Sequence, residues 1–336
     1  MGWSGSITAS SAVGASTTYT PDSPESTDPA SKWVNVKTYA GNYSVSSFTA
    51  PKRGVYQFIL KASGGAKAYK YNDSDSNGLY NGVAGGTGGS TTGYLLLEAG
   101  QTVYVGAGGV CRAAFVSSVD GSSLSAIDKS KLYLVAGAGG SGAAYYDNYN
   151  ETGYNCKIDT GGNGGGTSGA AGSETNSVDT GAGGGGTQSA GGAAGETTGS
   201  GVNANGSAGS QGVGGTGSQA NDNDHFQYKC YGGRGGDGYY GGGGGSCSAD
   251  GGGISAAGGG GGSGYVKTAS FTHMGTTYKS TTSQGGGAAS NKSGSVVVKY
   301  YAMGELPITF NGTKITELIF NGTKVTSVYY NGTKLF

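Results

Sequence analysis

Short runs in which apolar and polar residues alternate dominate the first half of the chain and return near its end. The runs are rich in β-branched and aromatic residues and are bounded by Gly, Asn or Ser, which is typical of strands. No convincing amphipathic helical pattern accompanies them. The strands are predicted at residues 32–40, 43–51, 54–63, 91–109, 131–140 and 294–302. The predicted fold class is therefore all-β, with a β-sandwich or jelly-roll-like barrel in the first half.

Glycine dominates residues 161–264, which hold more than half of the chain's 75 glycines. Collagen is excluded, because it needs proline in a strict triplet and no proline lies between Pro51 and Pro307. Glycine still recurs at every third position in places, at residues 166, 169 and 172 and at residues 206, 209, 212 and 215. This period predicts a bundle of polyglycine-II helices, in which only glycine fits the buried positions. The alternative is a Gly/Ser linker, which is disfavoured by four tyrosines and two cysteines within the region and by Tyr265 directly after it.

The order of four segments resembles a known family. The segments are FTAPKRGVYQFILKASGGA, GGTGGSTTGYLLLEAGQTVYVGAGG, KLYLVAGAGGSGAA and CYGGRGGDGYYGGGGGSCSADGGGISAAGGGGGSGY. Together they cover about residues 43–301 and are similar to the glycine-rich domain of the anaplastic lymphoma kinase and leukocyte tyrosine kinase receptors, which also occurs in bacterial and phage proteins. The resemblance implies a tumour-necrosis-factor-like sandwich joined to a bundle of polyglycine helices. The receptors continue into a membrane span and a kinase domain and this sequence does not, so the resemblance concerns the fold and not the receptor role.

Three domains are predicted. Residues 1–30 are rich in Ser, Thr and Pro and are expected to form a flexible arm, and residues 31–304 form the glycine-rich β-sandwich domain. Residues 305–336 repeat the triplet Asn-Gly-Thr every ten residues, and Asn-Gly between β-rich runs is a strong hairpin signal. The repeats predict a small β-meander, with a β-solenoid turn or a strip added to another chain's sheet as alternatives. Such repeats resemble the C-terminal tails of phage and prophage structural proteins.

Charge and motifs exclude several classes of function. The 20 basic and 20 acidic residues are scattered, so no basic stripe for nucleic acid is present. No apolar window is long enough for a membrane span. Phosphate-loop, zinc-protease and serine-hydrolase motifs are absent. The neighbours Asp224 and His225 are predicted to lie in a solvated loop. We therefore expect a protein that is not an enzyme and has no cofactor, although a carboxylate pair among the scattered acids would suit a glycosidase.

Three sets of residues are candidates for a site. Asp73, Asp75 and Asn77 match the start of a calcium loop, but Ala84 stands where the last ligand belongs, and a polar loop tip is the alternative. Among the 24 tyrosines, a group predicted to lie in polar loops is proposed to bind a ligand: Tyr145, Tyr146, Tyr149, Tyr154, Tyr228 and Tyr231. The alternative is that tyrosines cover the edges of the glycine bundle. Cys230 and Cys247 bracket the densest glycine run and are a candidate disulfide, although four cysteines allow three connectivities.

These features predict a bacteriophage virion protein, in a tail fibre, tail tip or head fibre. Its expected partners are other virion proteins and a glycan or protein of the host surface, and a homotrimer is an open option. The beginning of the chain lacks a signal-peptide pattern, which fits assembly in the host cytoplasm before release with the virion. The alternative is a bacterial surface adhesin or a ligand-binding ectodomain, and a third is a depolymerase.

Overall fold

A computed structural model describes most of the chain between residues 33 and 334. The described ranges are 33–67, 79–147, 155–174, 180–198, 201–222, 228–250, 253–273 and 276–301, with two-residue strands from 309 to 334. The predicted N-terminal arm therefore lies outside the described residues. Contacts divide the chain into a larger unit, Asn35–Ser270 with Lys279–Tyr300, and a smaller unit, Met1–Val34 with Phe271–Tyr278 and Tyr301–Phe336.

Strands make up nearly all of the regular structure, and the described residues include only two three-residue 3-10 helices, Leu124–Ala126 and Lys129–Lys131. The all-β prediction is confirmed. The first ten strands are β1 (Trp33–Ala40), β2 (Ser44–Thr49), β3 (Gly54–Lys61), β4 (Leu79–Gly82), β5 (Ser90–Leu97), β6 (Thr102–Ala107), β7 (Ala114–Ser117), β8 (Leu132–Ala136), β9 (Ala144–Asp147) and β10 (Asn155–Ile158).

Most of the remaining strands have two to four residues, and β20 has seven. They are β11 (Val202–Ala204), β12 (Gln219–Asp222), β13 (Tyr228–Tyr231), β14 (Cys247–Asp250), β15 (Gly253–Ala256), β16 (Tyr265–Val266), β17 (Ser270–His273), β18 (Thr276–Lys279), β19 (Thr281–Ser283), β20 (Ser295–Tyr301), β21 (Thr309–Phe310), β22 (Thr313–Lys314), β23 (Ile319–Phe320), β24 (Thr323–Lys324), β25 (Tyr329–Tyr330) and β26 (Thr333–Lys334).

Two five-stranded sheets form a sandwich around the main apolar core. One has the order β1-β20-β3-β5-β19, and the other has the order β16-β8-β7-β6-β2. Burial alternates along β20 and β3 as expected for strands with one face on the core. Tyr56, Phe58 and Leu60 from the first sheet meet Val105 and Leu134 from the second in one buried cluster. The jelly-roll and tumour-necrosis-factor-like topologies stay predictions.

Glycine-rich segments without strand structure pack side by side through backbone hydrogen bonds that rotate among three neighbours. Along 241–246, the amides of Gly241 and Gly244 donate to segment 207–210, those of 242 and 245 to segment 233–236, and those of 243 and 246 to segment 181–184. Segment 258–264 repeats the rotation with three other neighbours. A change of partner at each residue with a period of three is what a helix of three residues per turn requires. The polyglycine-II conformation is therefore supported by this pattern and stays a prediction.

The glycine segments join the sandwich to two smaller four-stranded sheets. The first, here called the tyrosine sheet, has the order β12-β13-β9-β4, and the companion sheet has the order β10-β15-β14-β11. Residues 137–143 run from β8 in the sandwich to β9 in the tyrosine sheet. Residues 257–264 return from β15 in the companion sheet to β16 in the sandwich. The glycine bundle therefore lies between the sandwich and the two small sheets.

Within the smaller unit, aromatic rings and short hairpins are described. Trp33 packs edge-on against Tyr278 and Tyr301, with ring centroids 6.4 Å and 5.1 Å apart. On either side of each Asn-Gly repeat, two-residue strands pair antiparallel, as the hairpin signal predicts. The three ribbons are separate two-stranded sheets among the described residues, so the continuous meander stays a prediction.

Candidate functional site: the tyrosine sheet

The tyrosine sheet brings together four of the six predicted ligand-binding tyrosines. Tyr145 and Tyr146 lie on β9, and Tyr228 and Tyr231 lie on the neighbouring strand β13. The reading of these four positions as polar loop residues is wrong, because backbone pairing with distant segments makes them strands. Cys230 pairs with Tyr145 across 85 positions of sequence, and such long-range partners leave no local pattern. Tyr149 and Tyr154 lie outside the described residues.

The inner face of this sheet packs on the companion sheet. Register places Tyr145, Cys230 and Ala220 opposite one another on three adjacent strands. Cys230 and Ala220 are buried and meet Cys247, Ala249 and Ile254 of the companion sheet in one apolar cluster, against which Tyr145 packs. The strands are thus held by a small core, because side chains that point inward from both sheets exclude water.

The two predicted disulfide partners lie in this core as free thiols. Both Cys230 and Cys247 are fully buried, and the Cys247 thiol donates to the backbone carbonyl of Cys230 at 3.3 Å. A hydrogen bond with the Cys247 side chain, together with burial, raises the pKa of the Cys230 thiol far above its ordinary value. Cys230 is therefore protonated at neutral pH and is a poor nucleophile in the folded protein. The two cysteines are unbonded neighbours in this structure, and the disulfide between them stays a prediction.

Three chain segments leave the tyrosine sheet at the same end. Leu79, at the start of β4, pairs with Asp147, at the end of β9. Tyr146 pairs with Lys229 near the start of β13, and Tyr228 pairs with Asp222, at the end of β12. The segments 68–78, 148–154 and 223–227 therefore all connect to strands at the same end of the sheet. We call it the loop end.

The loop end is where the remaining sequence candidates attach. Segment 68–78 carries the predicted calcium residues Asp73, Asp75 and Asn77, and segment 148–154 carries Tyr149 and Tyr154. All five lie outside the described residues. Among the residues that the structure describes, no group of three His, Cys, Asp or Glu side chains could hold a metal ion.

A buried carboxylate, which the sequence did not single out, ties the bundle to the sandwich. The Asp237 side chain is 5% exposed and accepts hydrogen bonds from Arg234 Nη2 at 2.7 Å and Arg112 Nη1 at 3.1 Å. Its Oδ1 atom also accepts from the Gly214 amide at 2.9 Å. Arg112 follows β6 in the sandwich, whereas Arg234 and Gly214 belong to glycine segments. Asp237 therefore fixes the bundle against the sandwich, and the two arginines satisfy its charge.

Throughout the described ranges, no helix is both long and apolar enough to cross a membrane. A scan against models of known protein families gives no match, and a search of curated proteins gives no similar protein.

Proposed function

We propose that the chain is a non-enzymatic structural protein of a bacteriophage virion that presents the loop end of its glycine-rich domain to the host surface. The observation that carries this proposal is the convergence of three segments at one edge of the tyrosine sheet. Segments 68–78 and 148–154 are rich in Tyr and Asn, and segments of this composition on a hydrogen-bonded support form adaptable binding surfaces. The resemblance to the glycine-rich domain and the C-terminal Asn-Gly-Thr repeats supports the virion assignment.

The support beneath the loop end suits repeated weak contacts. Interlocked backbone hydrogen bonds hold the glycine segments on three sides, so the bundle keeps its strands in place without a large apolar core. Several copies on one particle would bind a glycan or protein of the host surface with an avidity far above that of one site. The tail fibre, tail tip and head fibre are the proposed locations, with other virion proteins as partners and a homotrimer as one assembly.

Two experiments test the proposal at different levels. Immunogold electron microscopy with an antibody against residues 161–264 should label a tail tip, tail fibre or capsid vertex of phage particles. Label on bacterial envelopes, with particles free of it, would replace the virion assignment by a surface adhesin. Incubation of the purified protein with capsular polysaccharide should release no sugar, and turnover would make it a depolymerase.

The loop end itself is tested by binding to host cells. The double variant Tyr149→Ser/Tyr154→Ser should lose at least tenfold in cell binding, because aromatic anchors dominate such surfaces. The control variant Tyr104→Ser changes a half-buried tyrosine on β6 of the sandwich and should bind as the parent does. Equal binding by all three proteins would move the recognition surface away from the loop end.

A further inference from the structure

A second surface, rich in tyrosine and lysine, surrounds the 3-10 turn Lys129–Lys131 at the sandwich end of the glycine segments. We call it the Tyr–Lys patch, and it comprises Lys129, Lys131, Tyr133, Tyr239, Tyr240 and Lys267. The Asp128 carboxylate caps the turn by accepting from the Ser130 amide at 2.7 Å. Lys267 Nζ donates to the Ser130 carbonyl at 2.6 Å, so the segment after β16 is fastened to the same turn.

Two of its lysines lie over tyrosine rings. Lys129 Nζ is 4.1 Å from the ring centroid of Tyr240 and 5.8 Å from that of Tyr239, and it also donates to the Tyr240 hydroxyl. Lys267 Nζ is 5.4 Å from the ring centroid of Tyr133. Cation–π contacts of this kind hold an ammonium group in position. The cations are therefore placed before any ligand arrives.

The ring of Tyr239 is held in place by its contacts with Tyr265 and with the core. Tyr239 stacks on Tyr265 with centroids 4.2 Å apart and an interplanar angle of 8°. Both pack against the buried cluster that contains Phe115 and Leu132, and both remain half-buried. A rigid ring with one side on the core and part of its surface in water loses little conformational entropy when a ligand stacks on it.

Charge indicates what the patch accepts. It carries three lysines against Asp128, which is engaged in capping the turn, and Asp120, which lies earlier in the same connection. This surplus of positive charge stands on a chain whose formal net charge is zero. Tyrosine rings stack on the apolar faces of sugar rings, and ammonium groups pair with acidic substituents.

We propose that the Tyr–Lys patch binds an acidic polysaccharide, that is, a sugar chain that carries carboxylate or phosphate groups. The patch is distinct from the loop end, because residues 137–143 of the glycine bundle separate β8, beside the patch, from β9. The proposal does not rest on a virion location, since binding is measured on the purified protein.

Titration of the full chain with oligogalacturonate, phosphate-substituted dextran and neutral dextran tests this site. At least one of the two anionic sugars should bind, and its affinity should fall as salt is added. Neutral dextran should not bind. Lys131→Gln/Lys267→Gln should weaken binding at least tenfold, and Tyr240→Leu should weaken it while Tyr240→Phe keeps it. Lys52→Gln/Lys61→Gln removes two exposed lysines outside the patch and is the matched control.

The outcomes separate this site from the loop end. Preference for oligogalacturonate identifies a carboxylate ligand, and preference for the dextran derivative identifies a phosphate ligand. The proposal is overturned if polyglutamate binds as well as either sugar and Tyr240→Leu has no effect, because the patch would then be a general anion surface. It is also overturned if neither anionic sugar binds. The variant Tyr149→Ser/Tyr154→Ser should leave polysaccharide binding unchanged. A loss of cell binding by this variant therefore tests the loop end separately from the Tyr–Lys patch.

Discussion

At the scale of single residues, the space left for a Cβ atom decides which side chain the bundle accepts. A Cβ on Gly243 would overlap the carbonyl oxygen of Ala193, and one on Gly260 would overlap that of Gly184. Both obstacles are backbone atoms, which no change of rotamer removes. Burial follows the same period in segment 191–198, where Gly192 and Gly195 are buried and Ala193 is exposed. Of the positions with a period of three in the sequence, Gly169 and Gly215 are likewise buried, whereas Gly166 and Gly212 have positive φ at a bend and a turn.

Gly243→Ala should cost more than about 3 kcal/mol of unfolding free energy, because overpacking against an immobile carbonyl exceeds the usual range for a core methyl group. Ala208→Ser, at an exposed position of a neighbouring glycine segment, should cost less than about 0.5 kcal/mol. Urea denaturation of the two variants measures both values. Equal stability of Gly243→Ala and the parent would show that the segments do not pack this closely.

The Asp237 clamp gives a second residue-scale prediction. Asp237→Ala should cost about 3–5 kcal/mol, because it leaves Arg234 with an unpaired charge in a partly buried site. The comparison is Glu98→Ala, which removes the exposed ion pair between Arg53 and Glu98, whose N–O distance is 2.9 Å. That change should cost no more than about 1 kcal/mol. A similar cost for both carboxylates would mean that Asp237 does not fasten the bundle.

At the scale of elements, sequence pattern located the sandwich better than the small sheets. Four predicted strands coincide with β1, β2, β3 and β20, which are six to eight residues long, and β3 and β20 show the alternating burial of strands with one face on the core. The predicted run 91–109 divides into β5 and β6 around a turn at Gly100. The run 131–140 ends as a strand at Ala136, where glycine lets the backbone leave the sheet and enter the bundle.

The four-residue strands of the tyrosine sheet could not be predicted, since their stability comes from partners far away in sequence. Tyr145 and Cys230 have polar or glycine-rich neighbours in the chain, and only their pairing creates an apolar inner face. The sequence still singled out four tyrosines that lie in one sheet. They were chosen because tyrosine indicates binding chemistry, and the sequence did not predict that they form strands. It did not select the Tyr–Lys patch, whose members come from three segments.

Two tyrosines within these elements predict a loss of stability in alkali. Burial raises the pKa of Tyr56 and of the half-buried Tyr239 above the ordinary 10.0. The unfolded chain therefore releases these protons first, so the unfolding free energy should be level from pH 7 to pH 9 and fall above it. Urea midpoints at pH 7, 9, 10 and 11 measure this. A urea midpoint that does not change up to pH 11 would mean that these side chains are as exposed in the folded protein as in the unfolded chain.

At the scale of the whole molecule, the larger unit is a sandwich and a pair of small sheets joined by a glycine bundle. The loop end is the end of the tyrosine sheet at which β9 and β12 finish and β4 and β13 begin, and the Tyr–Lys patch lies beside the sandwich. The proposed recognition of a host surface depends on the bundle holding the loop end in a defined place. A Gly/Ser linker in the same position would let the small sheets move freely.

Hydrogen–deuterium exchange across 241–246 and 258–264 is the most direct test of that central claim. Every amide in these segments donates to a neighbouring segment. We expect exchange at least about a thousandfold slower than in an unstructured peptide, because it would need opening of the bundle. Exchange at the rate of an unstructured peptide would show a linker, and would contradict both the bundle and the function built on it.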